Sequence, residues 1–227
     1  MTMHGIELTP EHPVAQTVEH AERAESEGFD AIFAASHYFN RDPFIALDRI
    51  AAATEEVQIG PAAANPYDTH PVTLASRMAT LQEVSDGRGV FGVGPGDKST
   101  LSSLGVERDR PLRRVLESFK VAQDLWEGER VSIDGTFETS DAGLEYEVEG
   151  EIPVYVGAQG PHMIRMSAKH ADGVLINASH PDDFAWAADR VAEGKEERPD
   201  ERGDFDVAAY ASGSVAEDAD APRDGAR

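Results

Sequence analysis

Short apolar runs alternate with stretches of helical spacing along most of the chain. The apolar runs have the length of strands and lie at 4–8, 30–35, 57–64, 88–94, 152–158, 173–179 and 204–212. Apolar positions recur at helical spacing over 14–28, 43–54, 70–87, 110–128, about 163–171, and 182–194. Pro43 at the start of one such stretch and Gly28 at the end of another are typical helix boundaries.

This alternation predicts parallel β/α units whose strands are buried on both faces. Seven such strands favour an α/β fold of the (β/α)8 TIM-barrel type, with an open doubly wound sheet as the alternative. The sequence after the seventh strand is acidic and rich in small residues, and no eighth strand is visible. We therefore predict one incomplete barrel domain over 1–213 that lacks the last β/α unit, and a disordered acidic tail over 214–227. The first and seventh strands would then have unpaired edges.

Residues 130–149 depart from this pattern. Polar and apolar residues alternate there, and an Asp134-Gly135 pair interrupts the alternation. An Asp-Gly pair between alternating segments is a strong indicator of a β-hairpin. We predict a hairpin inserted into the barrel.

The charge balance is strongly acidic. Among 227 residues, 43 acidic and 20 basic side chains give a formal net charge of −23, and four of the basic residues are lysines. A nucleic-acid-binding protein usually has the opposite balance. A protein with many acids and few lysines is suited to very high salt, which screens repulsion between like charges. We predict a halophilic protein, with an ordinary acidic protein as the alternative.

Several features that the sequence lacks exclude particular classes of function. The chain has no cysteine, which excludes disulfides, thiolate catalysis and Cys-based metal sites. No apolar run approaches the ~20 residues that a membrane span needs. The N-terminus passes directly into strand-like sequence without a basic and apolar leader, so we expect a cytoplasmic protein. No spacing of His, Asp and Glu is typical of a metal site.

Candidate chemistry lies where the strands end, because barrel active sites gather at the carboxyl ends of the strands. Glu7 ends the first strand and Asp97 follows the fourth, within Gly94-Pro95-Gly96-Asp97-Lys98. Two carboxyls in one cleft can have a raised pKa and act as general acids. The alternatives are a salt-bridged acid at the strand end for Glu7 and a solvated charge in a turn for Asp97. His37 follows the second strand and could bind a ligand.

The segment Gly157-Ala158-Gln159-Gly160 follows the fifth parallel strand and precedes a helix. Free N–H groups at a helix start favour an anion such as phosphate. The segment is neither the six-residue dinucleotide motif nor a P-loop, so alone it is a weak indication.

Taken in order, the strand ends GIEL, SHYFN, GPAAANPYDTHP, GVGPGDK, YVGAQGP, ADGVLINAS and DVAAYAS resemble one family. This family is the F420-dependent methylenetetrahydromethanopterin reductases, a branch of the luciferase-like superfamily. The resemblance extends from the first strand to about residue 216, and it implies a luciferase-like (β/α)8 barrel.

The resemblance implies an enzyme that transfers a hydride from reduced coenzyme F420 to the methylene group of a tetrahydropterin C1 carrier. Opening the carrier's five-membered ring needs a proton on a ring nitrogen, a task for a carboxylic acid. Glu7 matches the family acid at the end of the first strand. Asp97 is the second candidate, or instead holds the pterin by accepting N–H hydrogen bonds. Family members also form homo-oligomers.

The resemblance further implies a cofactor site with a non-prolyl cis peptide at Ala62–Ala63. The residues expected to bind the cofactor are His37, Ala62, Ala63, Asn65, Gly96, Gly157, Ala158, Gln159, Gly160 and Asn177. The sequence departs from the family at Ser36, where an Asp is usual, and at Ala62-Ala63, where the first residue is usually Gly.

Three alternatives remain open at this stage. The carrier could be methanopterin or folate. The chain could be another luciferase-like enzyme that uses F420 or FMN. It could also be an inactive fragment, since it lacks a recognisable eighth strand.

Overall fold

The computed structural model describes residues 2–178 and 180–211. The strands within this part of the chain are β1 (Gly5–Leu8), β2 (Ala31–Ala34), β3 (Gln58–Pro61), β4 (Phe91–Val93), β5 (Val131–Asp134), β6 (Glu138–Ala142), β7 (Val154–Gly157), β8 (Gly173–Asn177) and β9 (Asp206–Tyr210). The helices are α1 (Val14–Ser26), α2 (Pro43–Ala51), α3 (Pro71–Val84), α4 (Lys98–Ser103), α5 (Pro111–Trp126), α6 (Pro161–His170) and α7 (Pro181–Lys195), with a short 3₁₀ helix at Asp200–Arg202.

Seven of the strands are parallel and follow one another in chain order. One ladder joins β1, β2 and β3, and a second joins β4, β7, β8 and β9. Isolated parallel bridges, Ile59 with Gly89 and Ala64 with Val93, connect the two ladders. A doubly wound sheet would reverse its strand order near the middle, whereas here the order never reverses. The barrel-type α/β architecture predicted from the sequence is therefore confirmed.

The inner parallel strands, β2, β3, β4, β7 and β8, are short segments with buried residues, as expected where helices cover one face and side chains fill the interior. The terminal strands β1 and β9 contain no buried residue, so the predicted burial on both faces does not hold for them. All three residues of β4 are buried, and one continuous apolar core extends from Ala21 on α1 to Phe205 before β9. The helices begin where the sequence provides a cap or proline. Asp42 illustrates this, since its carboxylate accepts hydrogen bonds from Phe44 N and Ile45 N at the start of α2.

The junction of β3 and β4 depends on two glycines. A Cβ atom placed on Gly92 would lie 2.0 Å from the carbonyl oxygen of Pro61. A Cβ on Gly60 would lie 1.9 Å from the carbonyl oxygen of Val90. Real Cβ atoms do not approach backbone that closely, so the two ladders meet here only because both positions lack a side chain.

Strands β5 and β6 form an antiparallel hairpin in the region where the sequence pattern changes. Their turn is tied to helix α5, because the Glu117 carboxylate accepts a hydrogen bond of 2.6 Å from Thr136 N. The guanidinium of Arg114 lies 4.8 Å from the ring centroid of Tyr67 and 4.6 Å from that of Phe137. These contacts hold the hairpin against the outside of the barrel.

Several boundaries differ from the predicted ones. The last described strand ends at Tyr210, two residues before the predicted end, and β4 is shorter than the predicted 88–94. The sequence analysis did not predict α4, which consists mostly of Ser and Thr and forms because Asp97 caps its first turn. The predicted acidic tail over 214–227 lies outside the described residues.

None of the described helices is both long and apolar enough to cross a membrane.

Candidate active site

A cavity of about 780 Å³ opens at the carboxyl ends of the parallel strands. Its wall contains most of the residues that the sequence nominated, drawn from six different strand ends. They are Glu7, His37, Ala62, Ala63, Gly96, Asp97, Gly157, Ala158, Gln159, Gly160 and Asn177. Side chains scattered over the whole sequence converge here because parallel strands present their carboxyl ends on one face.

Glu7 enters the cavity from the end of β1. Its Oε1 accepts a hydrogen bond of 3.1 Å from Thr9 Oγ1, and its Oε2 accepts one from the hydroxyl of Tyr210 on β9. Within the described residues no ion pair involves Glu7. The carboxyl is thus oriented by two neutral donors and remains at the cavity wall.

The floor of the cavity is made of small residues. The peptide bond between Ala62 and Ala63 is cis, as the family resemblance implied. The Ala63 Cβ would lie 3.4 Å from a Cβ placed on Gly94 and 3.7 Å from one placed on Gly157. Three strand ends therefore meet with almost no side-chain volume between them. Such a surface is smooth enough to receive a flat ring system.

The segment Gly157–Gly160 leads from β7 into helix α6. Gly160 is the N-cap, Pro161 follows it, and within the described residues no side chain caps the helix. A Cβ placed on Gly160 would meet no atom within 4 Å, so the helix start faces open space. His162 and Met163, in the first turn of α6, also line the cavity. The uncapped N–H groups can therefore receive an anion.

Gly96 shapes the turn after β4. Its φ of +67° is a left-handed conformation that favours glycine. A Cβ at this position would lie 2.7 Å from Asn65 Nδ2 and 3.1 Å from the Tyr38 hydroxyl. The Gly96 carbonyl accepts a hydrogen bond of 3.2 Å from Arg108 Nη1. Gly96 is thus favoured by close packing as well as by the conformation of the turn.

Asn65 differs from the prediction that placed it beside the cofactor. It is 3% exposed, is not part of the cavity wall, and its Oδ1 accepts a hydrogen bond of 2.8 Å from Tyr67 N. It lies one layer behind the turn that contains Gly96. Its observed contacts support that turn, because a buried amide must satisfy its hydrogen bonds locally.

Asp97 is the N-cap of α4. Its Oδ1 accepts hydrogen bonds from the Ser99 hydroxyl and from both the N–H and the hydroxyl of Thr100. These hydrogen bonds lower the pKa of Asp97 to about 2. Asp97 is thus a stable anion at neutral pH. Of the two roles considered, accepting N–H hydrogen bonds suits this carboxylate better than donating a proton.

Three further residues with ionisable side chains line the cavity although the sequence analysis did not nominate them. They are Arg108 in the loop before α5, His162 on α6 and Tyr210 at the end of β9. The strand-end rule could have found Tyr210, since the residue lies at the end of the last predicted strand. Arg108 lies in a loop without a recognisable motif, and it donates a hydrogen bond to the Gly96 carbonyl at the cavity.

The luciferase-like monooxygenase family model matches residues 1–227. The chain is 40% identical to the 5,10-methylenetetrahydromethanopterin reductase of Archaeoglobus fulgidus, covering 98% of this chain and 67% of that protein. It is 37% identical to the protein of the same name from Methanolobus tindarius, covering 95% of this chain and 66% of that protein. The chain thus spans about two thirds of the length of these curated relatives.

A solved structure gives the same result. The coenzyme F420-dependent tetrahydromethanopterin reductase from Methanopyrus kandleri superposes with a TM-score of 0.88 at 34% identity, covering 96% of this chain and 68% of that one. An F420-dependent secondary alcohol dehydrogenase, at 22% identity and a TM-score of 0.82, shares the fold. The chain therefore belongs to the luciferase-like monooxygenase family and, within it, to the group of the F420-dependent 5,10-methylenetetrahydromethanopterin reductases.

Proposed function

We propose that this chain transfers a hydride from reduced coenzyme F420 to the methylene carbon of a tetrahydropterin C1 carrier, which leaves a methyl group. The observation that carries the proposal is the cavity itself. It combines the carboxyls of Glu7 and Asp97 at its wall, a floor of small residues and an uncapped helix start. The relatives named for this reaction at 34–40% identity support the same assignment.

The residues present fit coenzyme F420, which has a flat deazaflavin ring and a phosphate-bearing tail. The floor around Ala63, Gly94 and Gly157 suits the ring, and Ala62 and Asn177 also line the cavity there. Gly160 and the first turn of α6 suit the phosphate, since the N–H groups and helix dipole favour an anion. When bound, the cofactor supplies the hydride, and the barrel's part is to hold both reactants at short range and to exclude water.

Glu7 is the proposed proton donor. One C–N bond of the carrier's five-membered ring must break, the released nitrogen must gain a proton, and the methylene carbon must gain the hydride. A carboxyl held at the cavity wall by Thr9 and Tyr210 can deliver that proton. Asp97 is the proposed acceptor for N–H groups of the pterin, and His37 lies at the same wall.

The C1 carrier could be a methanopterin or a folate derivative. The curated relatives are named for methanopterin, and we propose that carrier. Methylenetetrahydrofolate remains the alternative, and comparing turnover of the two carriers by the same preparation would decide between them.

We also propose that the protein works in the cytoplasm of a salt-adapted cell. The net charge of −23, with only four lysines among the basic residues, supports this. At low ionic strength the many acidic side chains repel one another. Molar salt weakens this repulsion because it shortens the screening length to about 3 Å. Assays therefore belong in molar KCl. The homo-oligomer implied by the family resemblance stays a prediction.

The first test of the proposal is a fluorescence titration of oxidised F420 with the full chain in molar KCl. We expect saturable binding at one site per chain. Gly160→Glu is expected to weaken this binding about tenfold or more, because the added carboxylate would repel the phosphate at the helix start. The side chain has open space, so the fold should tolerate it.

Thr73→Glu is the matched control for the titration. It adds the same charge to the first turn of α3, on an exposed side chain that does not line the cavity. F420 binding should not change in this variant. A folded wild-type chain that shows no saturable binding would overturn the cofactor assignment.

Asp97→Asn is expected to raise the KM for the carrier about tenfold with a smaller effect on kcat. Asparagine still caps α4, so the helix should persist, but the charge-assisted acceptor for pterin N–H groups is lost. Steady-state kinetics with varied carrier measure the change. Asp42→Asn, which alters the equivalent cap of α2 away from the cavity, is the control. An unchanged KM in Asp97→Asn would leave Asp97 as a helix cap alone.

A further inference from the structure

The first and last strands of the described arc are connected by a side-chain hydrogen bond. The hydroxyl of Tyr210 on β9 donates to Oε2 of Glu7 on β1, across 203 positions of sequence. Building on the proposed function, we propose that Tyr210 is a positioning residue for the reaction. Its hydroxyl holds the Glu7 carboxyl at the cavity wall and stabilises the charged form of that carboxyl.

The strand geometry explains why these two side chains meet. Tyr210 pairs with Asn177 at the end of β8, and Glu7 pairs with Phe33 on β2. In the described residues no backbone ladder joins β1 directly to β9. Side chains alternate between faces along a strand, so Ala208 and Tyr210 share the face that is partly buried, while Val207 and Ala209 are exposed. Tyr210 thus points inward, where Glu7 can accept a hydrogen bond from its hydroxyl.

The phenol is well suited to remain a donor. Burial and the neighbouring Glu7 raise the pKa of Tyr210 to about 12, so the hydroxyl stays protonated over the working range of an enzyme. Thr9 Oγ1 donates to the other oxygen, Oε1, of the same carboxyl. Two donors to a carboxylate favour the ionised state over the neutral acid.

Other charged groups face the same cavity and must be considered. They are His37 after β2, Asp97 after β4, Arg108 before α5 and His162 on α6. Within the described part of the chain, none of the four forms a hydrogen bond or ion pair with Glu7. Tyr210 and Thr9 donate the side-chain hydrogen bonds to the carboxyl that the described residues show. The effect of Tyr210 should therefore be separable from these longer-range charges.

The test is a pH titration of the Glu7 side-chain carboxyl by ¹³C NMR, in the full chain without cofactor. The resonance is assigned by its disappearance in Glu7→Gln. In Tyr210→Phe we expect the midpoint to rise relative to the wild type, because a hydrogen bond to the carboxyl is lost. Thr9→Val should shift the midpoint in the same direction, so the inference can still be tested if Tyr210→Phe folds poorly.

Tyr155→Phe is the matched control. Tyr155 is also a partly buried tyrosine whose hydroxyl donates to a carboxylate, at 2.6 Å to Asp206 Oδ2, but neither residue lines the cavity. Its loss should not shift the Glu7 midpoint. A Glu7 midpoint that is the same in wild type and in a folded Tyr210→Phe would overturn the inference, and if Tyr210→Phe does not fold, an unmoved midpoint in Thr9→Val would do so.

Kinetics separate this inference from the proposed function. If Glu7 acts as the proton donor, the pH at which kcat declines should also rise in Tyr210→Phe, whereas a purely structural role would change stability without moving the profile. A moved NMR midpoint with no turnover by the wild-type chain would support the Tyr210–Glu7 coupling and contradict the proposed function. Wild-type turnover with an unmoved profile and midpoint in Tyr210→Phe would contradict the coupling alone.

Discussion

Glu7→Gln is expected to lower kcat by a factor of about 10² to 10⁴, the usual contribution of a positioned general acid. Glutamine has nearly the same shape, its carbonyl oxygen can accept a hydrogen bond from one of the hydroxyls of Thr9 and Tyr210, and its amide N–H can donate to the other, so the cavity wall should persist. It cannot release a proton to the ring nitrogen of the carrier. Cofactor binding should change little, because the proposed phosphate site at α6 is on a different part of the wall. Single-turnover oxidation of reduced F420 would measure the chemical step directly.

Glu11→Gln is the control for this prediction. It removes the same charge from the turn that follows β1, on an exposed side chain that does not line the cavity. Its kcat should equal that of the wild type. If Glu7→Gln also retained the wild-type kcat, Glu7 would have no part in proton transfer. A low kcat with lost F420 binding would instead assign Glu7 to the cofactor site.

Gly92→Ala is expected to destabilise the protein by about 3 kcal/mol or more, since overpacking against rigid backbone is among the most costly core substitutions. The new Cβ would lie 2.0 Å from the Pro61 carbonyl oxygen, and no flexible side chain is available there to move aside. The two ladders would have to separate at the β3–β4 junction. For a domain of this size the thermal midpoint should decrease by roughly 6–12 °C.

Gly5→Ala is the matched control for that substitution. It adds the same methyl group to the parallel strand β1, where the nearest atom would be 3.4 Å away. The free energy of unfolding should change by less than about 1 kcal/mol, because an added side chain in an uncrowded strand also reduces the freedom of the unfolded chain. Equal thermal midpoints for Gly92→Ala and wild type, measured in the same KCl concentration, would contradict the proposed close approach at the junction.

Much of the architecture could be predicted because it depends on local patterns. Apolar runs of strand length, helical spacing between them, and boundaries marked by Pro and Gly identify parallel β/α units without knowledge of any contact. The strand-end rule then brings Glu7, Ala62–Ala63 and Gly157–Gly160 to one face. Element boundaries were less accurate, and α4 was missed because its Ser and Thr residues have weak helix propensity and depend on the Asp97 cap.

The sequence could predict which strand ends form the candidate site, but not which of their residues face the cavity and which lie behind its wall. A strand-end residue can face the cavity or lie behind its wall, and Asn65 lies behind it because its amide packs against the Gly96 turn. Asp97 lines the cavity, but its protonation state depends on Ser99 and Thr100, which belong to the unpredicted helix. Arg108 lies at the cavity, where its guanidinium donates a hydrogen bond to the carbonyl of Gly96, twelve residues earlier in the sequence. No periodicity or motif in the sequence indicates any of these contacts.

The sequence by itself determined the order of strands and helices, the strongly acidic surface, and the set of strand ends from which a site can be built. These follow from periodicity, composition and the directionality of parallel strands, which are properties of each segment or of the whole composition. Only the tertiary structure decided that Tyr210 contacts Glu7, that Gly92 lies against Pro61, and that Asn65 supports a turn. Such contacts depend on how distant segments pack at ångström distances, and no local pattern specifies that spacing.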